Sequence, residues 1–202
     1  MPKPTSQSFV LSLFTAWCIS LFVGFFWLSA DAAKASPAAR APQKIAVQDL
    51  WIANNKPQLF VFLHPRCACS FATLNELERV IASVSDKPDI HFYFADVMDH
   101  QALLETHLWQ QAQHFNAQSL QIDIQNIADF FAVESSGTLL LYKANGELLF
   151  NGGITASRGH EGDNAGKSQL ISILNQQTFE PTQPAVFGCA LAQHHDSLNP
   201  IL

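Results

Sequence analysis

The chain has 202 residues, 48% of them hydrophobic, and a formal net charge of -6. That length holds roughly one domain with extensions, at about 100–200 residues per domain. The acidic balance argues against a nucleic-acid partner, which would favour a basic surface. The sequence shows no internal repeat, and the body of the chain has no low-complexity tract.

Residues 9–29, "FVLSLFTAWCISLFVGFFWLS", carry no charged side chain. As a helix this run is about 30 Å long, enough to cross a bilayer. A cleavable signal has a shorter apolar core of about 7–15 residues. An uncleaved anchor is therefore favoured over a cleaved signal, although the small-residue triplets Ala30-Asp31-Ala32 and Ala33-Lys34-Ala35 follow. Lys3 precedes the run while Lys34, Arg40 and Lys44 follow it, so basic residues give no vote on orientation. Residues 30–44 are rich in Ala and Pro without an apolar period, and read as a linker.

A weak helical stretch is expected at 45–53, then a strand at 59–63 that is apolar throughout, as in a sheet covered on both faces. Ser70 reads as the N-cap of a helix that buries Phe71, Leu74, Leu77, Ile81 and Val84, and "DKPD" at 86–89 stops it. "IHFYFAD", 90–96, is rich in aromatics and reads as a strand. A helix fits 101–115, a short strand 119–122 and a helix 124–131. Strands at 138–142 and 148–154 flank Asn145-Gly146, a two-residue hairpin signal. A last helix is expected at 165–176.

Helices alternating with strands and closed by an antiparallel pair predict an α/β three-layer sandwich with a mixed sheet over 45–178. Residues 179–202 form a tail. The first strand-to-helix junction then lies at a carboxyl edge of the sheet, where open α/β sheets keep their sites. "HPRCACS", 64–70, occupies that junction.

This order of elements, with the Cys motif and "GTLLLYKANGELLFNGGI", is similar to the thioredoxin superfamily. A closer likeness is to the bacterial membrane-anchored thioredoxin-like proteins called RedB, at "FLHPRCACS", "LLFNGGITASRGHEGDNAG" and "VFGC". The resemblance implies a thioredoxin-like fold held at the outer face of the inner membrane, single-pass, with its soluble domain in the periplasm. Two departures stand out. Cys67-Ala68-Cys69 replaces Cys-x-x-Cys, and Ser136-Gly137 stands where the superfamily has a cis-proline beside the thiols.

Cys67 and Cys69 are the candidate catalytic thiols, with His64, Pro65 and Arg66 in support. A helix start favours thiolate, and Arg66 or a protonated His64 would add to that. A disulfide closed over one residue is expected to be strained and oxidising. The leading reading is thus an envelope thiol–disulfide oxidoreductase that uses no cofactor and acts on protein thiols or disulfides. Two alternatives stay open. One is a copper-binding metallochaperone, by a looser resemblance to SCO-type proteins, with Cys67, Cys69 and His160 on Cu(I). The other is a thiol peroxidase passing through a sulfenic acid.

In the Gly-rich stretch 152–166, Arg158, His160, Asp163 and Asn164 are expected to order a loop against the Cys motif. It has no Lys-Ser/Thr ending, so it is not a phosphate loop. Cys18 lies in the apolar run. Cys189 is expected first as a spare thiol beside Phe187, with resolution of a mixed disulfide or a place as a metal ligand as the alternatives, and His194-His195 as solvated residues.

Overall fold

A computed structural model describes residues 6–36, 39–46, 55–115, 117–122, 130–178 and 182–191. They fall into two compact units that divide between Lys34 and Ala35. The first is helix α1, Ser6–Ala32, within which Ser8–Ala30 is long and apolar enough to cross a membrane. A signal sequence passes the same test. The hydroxyls of Ser12, Thr15 and Ser20 donate to carbonyls three residues back, so these three polar groups are satisfied within the helix.

The second unit contains β1 (Gln58–Leu63), α2 (Ala68–Ser83), β2 (Asp89–Ala95), α3 (His100–Leu104), α4 (His107–Ala112), a 3-10 turn (Gln113–Phe115), β3 (Gln118–Ile122), β4 (Thr138–Tyr142), β5 (Leu148–Gly152) and α5 (Ala165–Leu174). The strands form one sheet in the order β3-β2-β1-β4-β5. The β1–β2 and β2–β3 pairs are parallel, while β1–β4 and β4–β5 are antiparallel. The expected mixed sheet is present.

Every residue of β1 is buried, because alternate side chains serve two cores. Leu59, Val61 and Leu63 pack with Leu74, Leu77 and Val80 of α2, Leu108 of α4 and Leu170 of α5. Phe60 and Phe62 face the other way, with Leu140, Tyr142, Phe131, Val133 and Leu191. Each such side chain contributes about 1.5–3 kcal/mol when fully buried. The Phe131 ring packs within 5.2 Å of Phe60 and 5.5 Å of Phe62, centroid to centroid.

Several local expectations are corrected. The helix at the Cys motif begins at Ala68 with Cys67 as its N-cap, two residues before the expected Ser70. The single helix at 101–115 is broken because Asp99 and Thr106 each cap their own start, accepting from Ala102 N–H and Trp109 N–H. The hairpin loop has three residues, 144–146. Gly146 takes φ +82, its N–H donates to Lys143 O, and Lys143 N–H donates to Glu147 O.

The expected linker is not free of the domain. Ala39 and Ala41 are buried, Asn151 Nδ2 donates to Ala39 O, and the Tyr142 hydroxyl donates to Pro42 O. Small alanines let this extended segment lie flat on the aromatic face of the sheet. Most of the helical stretches at 45–53 and 124–131, and His194-His195, lie outside the described residues.

Candidate functional site

The site begins where β1 ends. His64 to Cys67 turn sharply, with Cys67 N–H donating to His64 O at 3.1 Å. Ser70, one turn into α2, accepts from His64 N–H at 2.9 Å and so ties strand end to helix start. Arg66 N–H donates to His64 Nδ1 at 3.2 Å, which requires that nitrogen to be unprotonated. Burial, then the Arg66 charge, push the His64 pKa below its ordinary value. His64 is therefore a neutral turn-former and adds no positive charge at the thiols, contrary to expectation. Pro65 is buried and Arg66 is exposed.

The disulfide joins Cys67 to Cys189 across 122 residues, with Cα atoms 6.2 Å apart, inside the ordinary range. Cys69 is buried and free. This corrects both the expected ring between Cys67 and Cys69 and the expected spare thiol at 189. Cys69 is already helical, and side chains two apart on a helix do not face each other. Even so, the sulfurs of Cys67, Cys69 and Cys189 all lie within 4.8 Å of one another.

Ser136 organises this meeting. It is fully buried, and its hydroxyl accepts from Cys189 N–H at 3.0 Å while donating to Cys67 Sγ at 3.4 Å. Its own N–H donates to Cys189 O at 2.9 Å. Gly137, at φ +76, donates its N–H to Phe62 O at 2.7 Å and fixes the loop to the end of β1. The segment carrying Cys189 runs alongside, with bridges Ser135 to Ala190 and Ser36 to Val186. Gly188 is needed there: a Cβ would collide with Ser136 O.

The 152–166 loop reaches the same place. Arg158 donates to Gly188 O at 2.9 Å, and Gly159 lies against Ala68, between the two motif cysteines. Asn164 caps α5 by accepting from Lys167 N–H. Asp163 pairs with Lys167 at 2.8 Å, and this contact holds its pKa below the usual carboxylate value. His160 is exposed, and among the described residues the cluster of metal-capable groups contains the three cysteines without it. The ligand set Cys67, Cys69 and His160 is corrected accordingly.

Sequence reasoning missed Glu76. Its buried carboxylate lies 2.7 Å from Arg79 and 2.9 Å from Lys167, and accepts from Gly162 N–H at 2.7 Å. It anchors the loop to α2. It lies off the predicted apolar stripe of the helix, so periodicity gave no sign of its burial. A cavity of about 680 Å³ lined by Lys56, Glu78, His91 and His114 sits at the amino ends of β1 and β2. The cysteines lie at the other end of β1, so that cavity is not part of this chemistry.

The strand order, β1 leading straight into the cysteine-bearing α2, and the closing antiparallel pair β4–β5 decide the architecture. The fold is thioredoxin-like. Among solved structures, a hypothetical protein from Sinorhizobium meliloti is similar at 15% identity and TM-score 0.54, covering 79% of this chain and 94% of that one. An uncharacterized conserved protein from Geobacillus kaustophilus is similar at 14% identity and TM-score 0.54, covering 82% and 94%. The thioredoxin domain of a thiol-disulfide oxidoreductase from Bacteroides vulgatus aligns at 13% identity and TM-score 0.41, covering 71% and 97%. No family model and no curated protein matches the sequence.

Proposed function

We propose that the protein is a RedB-like thiol–disulfide oxidoreductase of the bacterial envelope, tethered to the inner membrane by α1 with its soluble unit in the periplasm. One observation carries this reading: a Cys67–Cys189 disulfide with the free Cys69 sulfur within 4.8 Å of both partners. An oxidising compartment suits such a bond. Cys67 is the sulfur that exchanges, with Cys189 as its disulfide partner and Cys69 a free thiol beside them. Ser136, Gly137 and Arg158 hold the third cysteine in place, and His64, Pro65 and Arg66 shape the turn.

The exchange balances as follows. A thiolate of a protein dithiol attacks Cys67 Sγ, forming a mixed disulfide and releasing the Cys189 thiolate. The substrate's second thiolate then attacks its own mixed-disulfide sulfur and releases Cys67. Two electrons and two protons pass to this protein, and the substrate leaves as a disulfide.

The test mixes the oxidised full chain in detergent with a dithiol peptide and follows peptide disulfide formation. Cys67→Ser abolishes it on this reading. A wild-type rate equal to that of Cys67→Ser would overturn it.

A further inference from the structure

Exchange needs two sulfurs, yet three meet here. The contacts that deliver the third do not depend on the S–S bond. Ser136 and Cys189 share two hydrogen bonds. Leu191 N–H donates to Glu134 O at 2.9 Å, and Gly188 O accepts from the Ser36 hydroxyl at 3.1 Å and from Arg158. Val186 and Leu191 are buried. The segment therefore stays seated when the disulfide opens, and opening leaves three thiols already converged.

We infer that the reduced protein binds one copper(I) ion through Cys67, Cys69 and Cys189, with sulfur as the only donor. The inference uses the reduced state that the proposed exchange requires. Thiolates select soft cations, copper(I) above all, whereas structural zinc almost always takes four ligands. Among the described residues the cluster has three sulfurs and no imidazole or carboxylate. Cys67 and Cys69 are buried while Cys189 is half-buried, which leaves an entry path on one side.

The charge is also provided for. Three thiolates around one copper(I) carry net negative charge beside the N-terminus of α2, which favours anions. Arg158 bonds Gly188 O, next to Cys189, and its buried Nε has no hydrogen-bond partner. An anionic centre at Cys189 would give that guanidinium a counter-charge. Binding is gated by redox state. A dithiol donor must first reduce Cys67–Cys189, leaving as a disulfide, and each new Cu–S bond then displaces a thiol proton to water.

The experiment uses the full chain in detergent, in a Cys18→Ser background, reduced with dithiothreitol, desalted without oxygen, and titrated with copper(I) against a chromogenic copper(I) chelator. X-ray absorption on the loaded protein needs no further substitution. The expected result is one equivalent of copper with three sulfur neighbours, and none bound by the oxidised protein. Losing an outer-shell partner costs about 10–100-fold in metal affinity, so Cys189→Ser should cost at least that, while His160→Ala costs nothing.

A two-sulfur shell, a Cys189→Ser protein that holds copper as tightly as its parent, a loss with His160→Ala, or preference for zinc would each overturn the inference. Thiol mapping of the same samples keeps the two proposals apart. Reversible opening of Cys67–Cys189 without copper uptake sinks the metal site alone.

Discussion

Ser136 and Cys189 are joined by a reciprocal pair of hydrogen bonds, Ser136 N–H to Cys189 O at 2.9 Å and Cys189 N–H to Ser136 Oγ at 3.0 Å. The loop before β4 thus spends its polar groups on the chain's own later segment. Ser136→Ala would leave the Cys189 N–H without its partner. An unpaired buried donor costs about 1–3 kcal/mol. Denaturant unfolding of the oxidised protein should show that loss, and an unchanged midpoint would mean the hydroxyl is not so engaged.

Gly188→Ala is a steric test of the same contact. The added Cβ meets Ser136 O, a backbone atom that cannot swing aside. The segment should seat poorly, so the Cys67–Cys189 bond should fail to form on oxidation and Cys189 should be found as an alkylatable thiol while the circular dichroism of the fold persists. A retained Cys67–Cys189 linkage would contradict this.

Glu76 is fully buried between Arg79 and Lys167, so removing its carboxylate leaves the ammonium of Lys167, which is 12% exposed, with the exposed Asp163 as its remaining carboxylate partner. Breaking a buried pair on one side costs about 3–5 kcal/mol. Because Arg79 is 55% exposed and keeps Glu161, the low end is expected for Glu76→Ala. A change below about 1 kcal/mol in the unfolding free energy would mean the pair is effectively solvated.

Acid should destabilise the protein through His64. Burial, then Arg66, lower its folded pKa below the ordinary 6.5. The unfolded imidazole therefore takes a proton first. This contribution to stability is complete above about pH 6.5 and is lost as the pH falls through and below it. His91, lowered chiefly by burial, acts in the same direction. Between about pH 7.5 and pH 5, wild type should lose more stability than His64→Gln. Equal losses would remove His64 from the account.

The fold was legible wherever a pattern was local. The continuous apolar run of β1 and the three- and four-residue steps of α2 each needed only neighbouring residues to read. Caps were harder: Thr106 starts a new helix through its hydroxyl, and periodicity alone does not register that. At the site, Cys67 and Cys69 stood out in "CAC", and Ser136-Gly137 through the missing proline. Glu76 did not, and Cys189 was noticed without its pairing to Cys67. The role of Cys189 depends on contacts far along the chain, with Ser136 at a separation of 53 residues, with Cys67 at 122, and from Arg158 to the neighbouring Gly188 at 30. An odd count of soluble thiols and a glycine directly before Cys189 were the available signs.

The most direct measurement is a redox titration of the full chain with thiol trapping and mass mapping of each cysteine. Over about -120 to -270 mV, the span of known oxidoreductases, Cys67 and Cys189 should be protected together in the oxidised samples and released together on reduction. Cys69 should stay a thiol in the resting oxidised form. A Cys67–Cys69 linkage, or a Cys67–Cys189 bond that never opens in that range, would contradict the account.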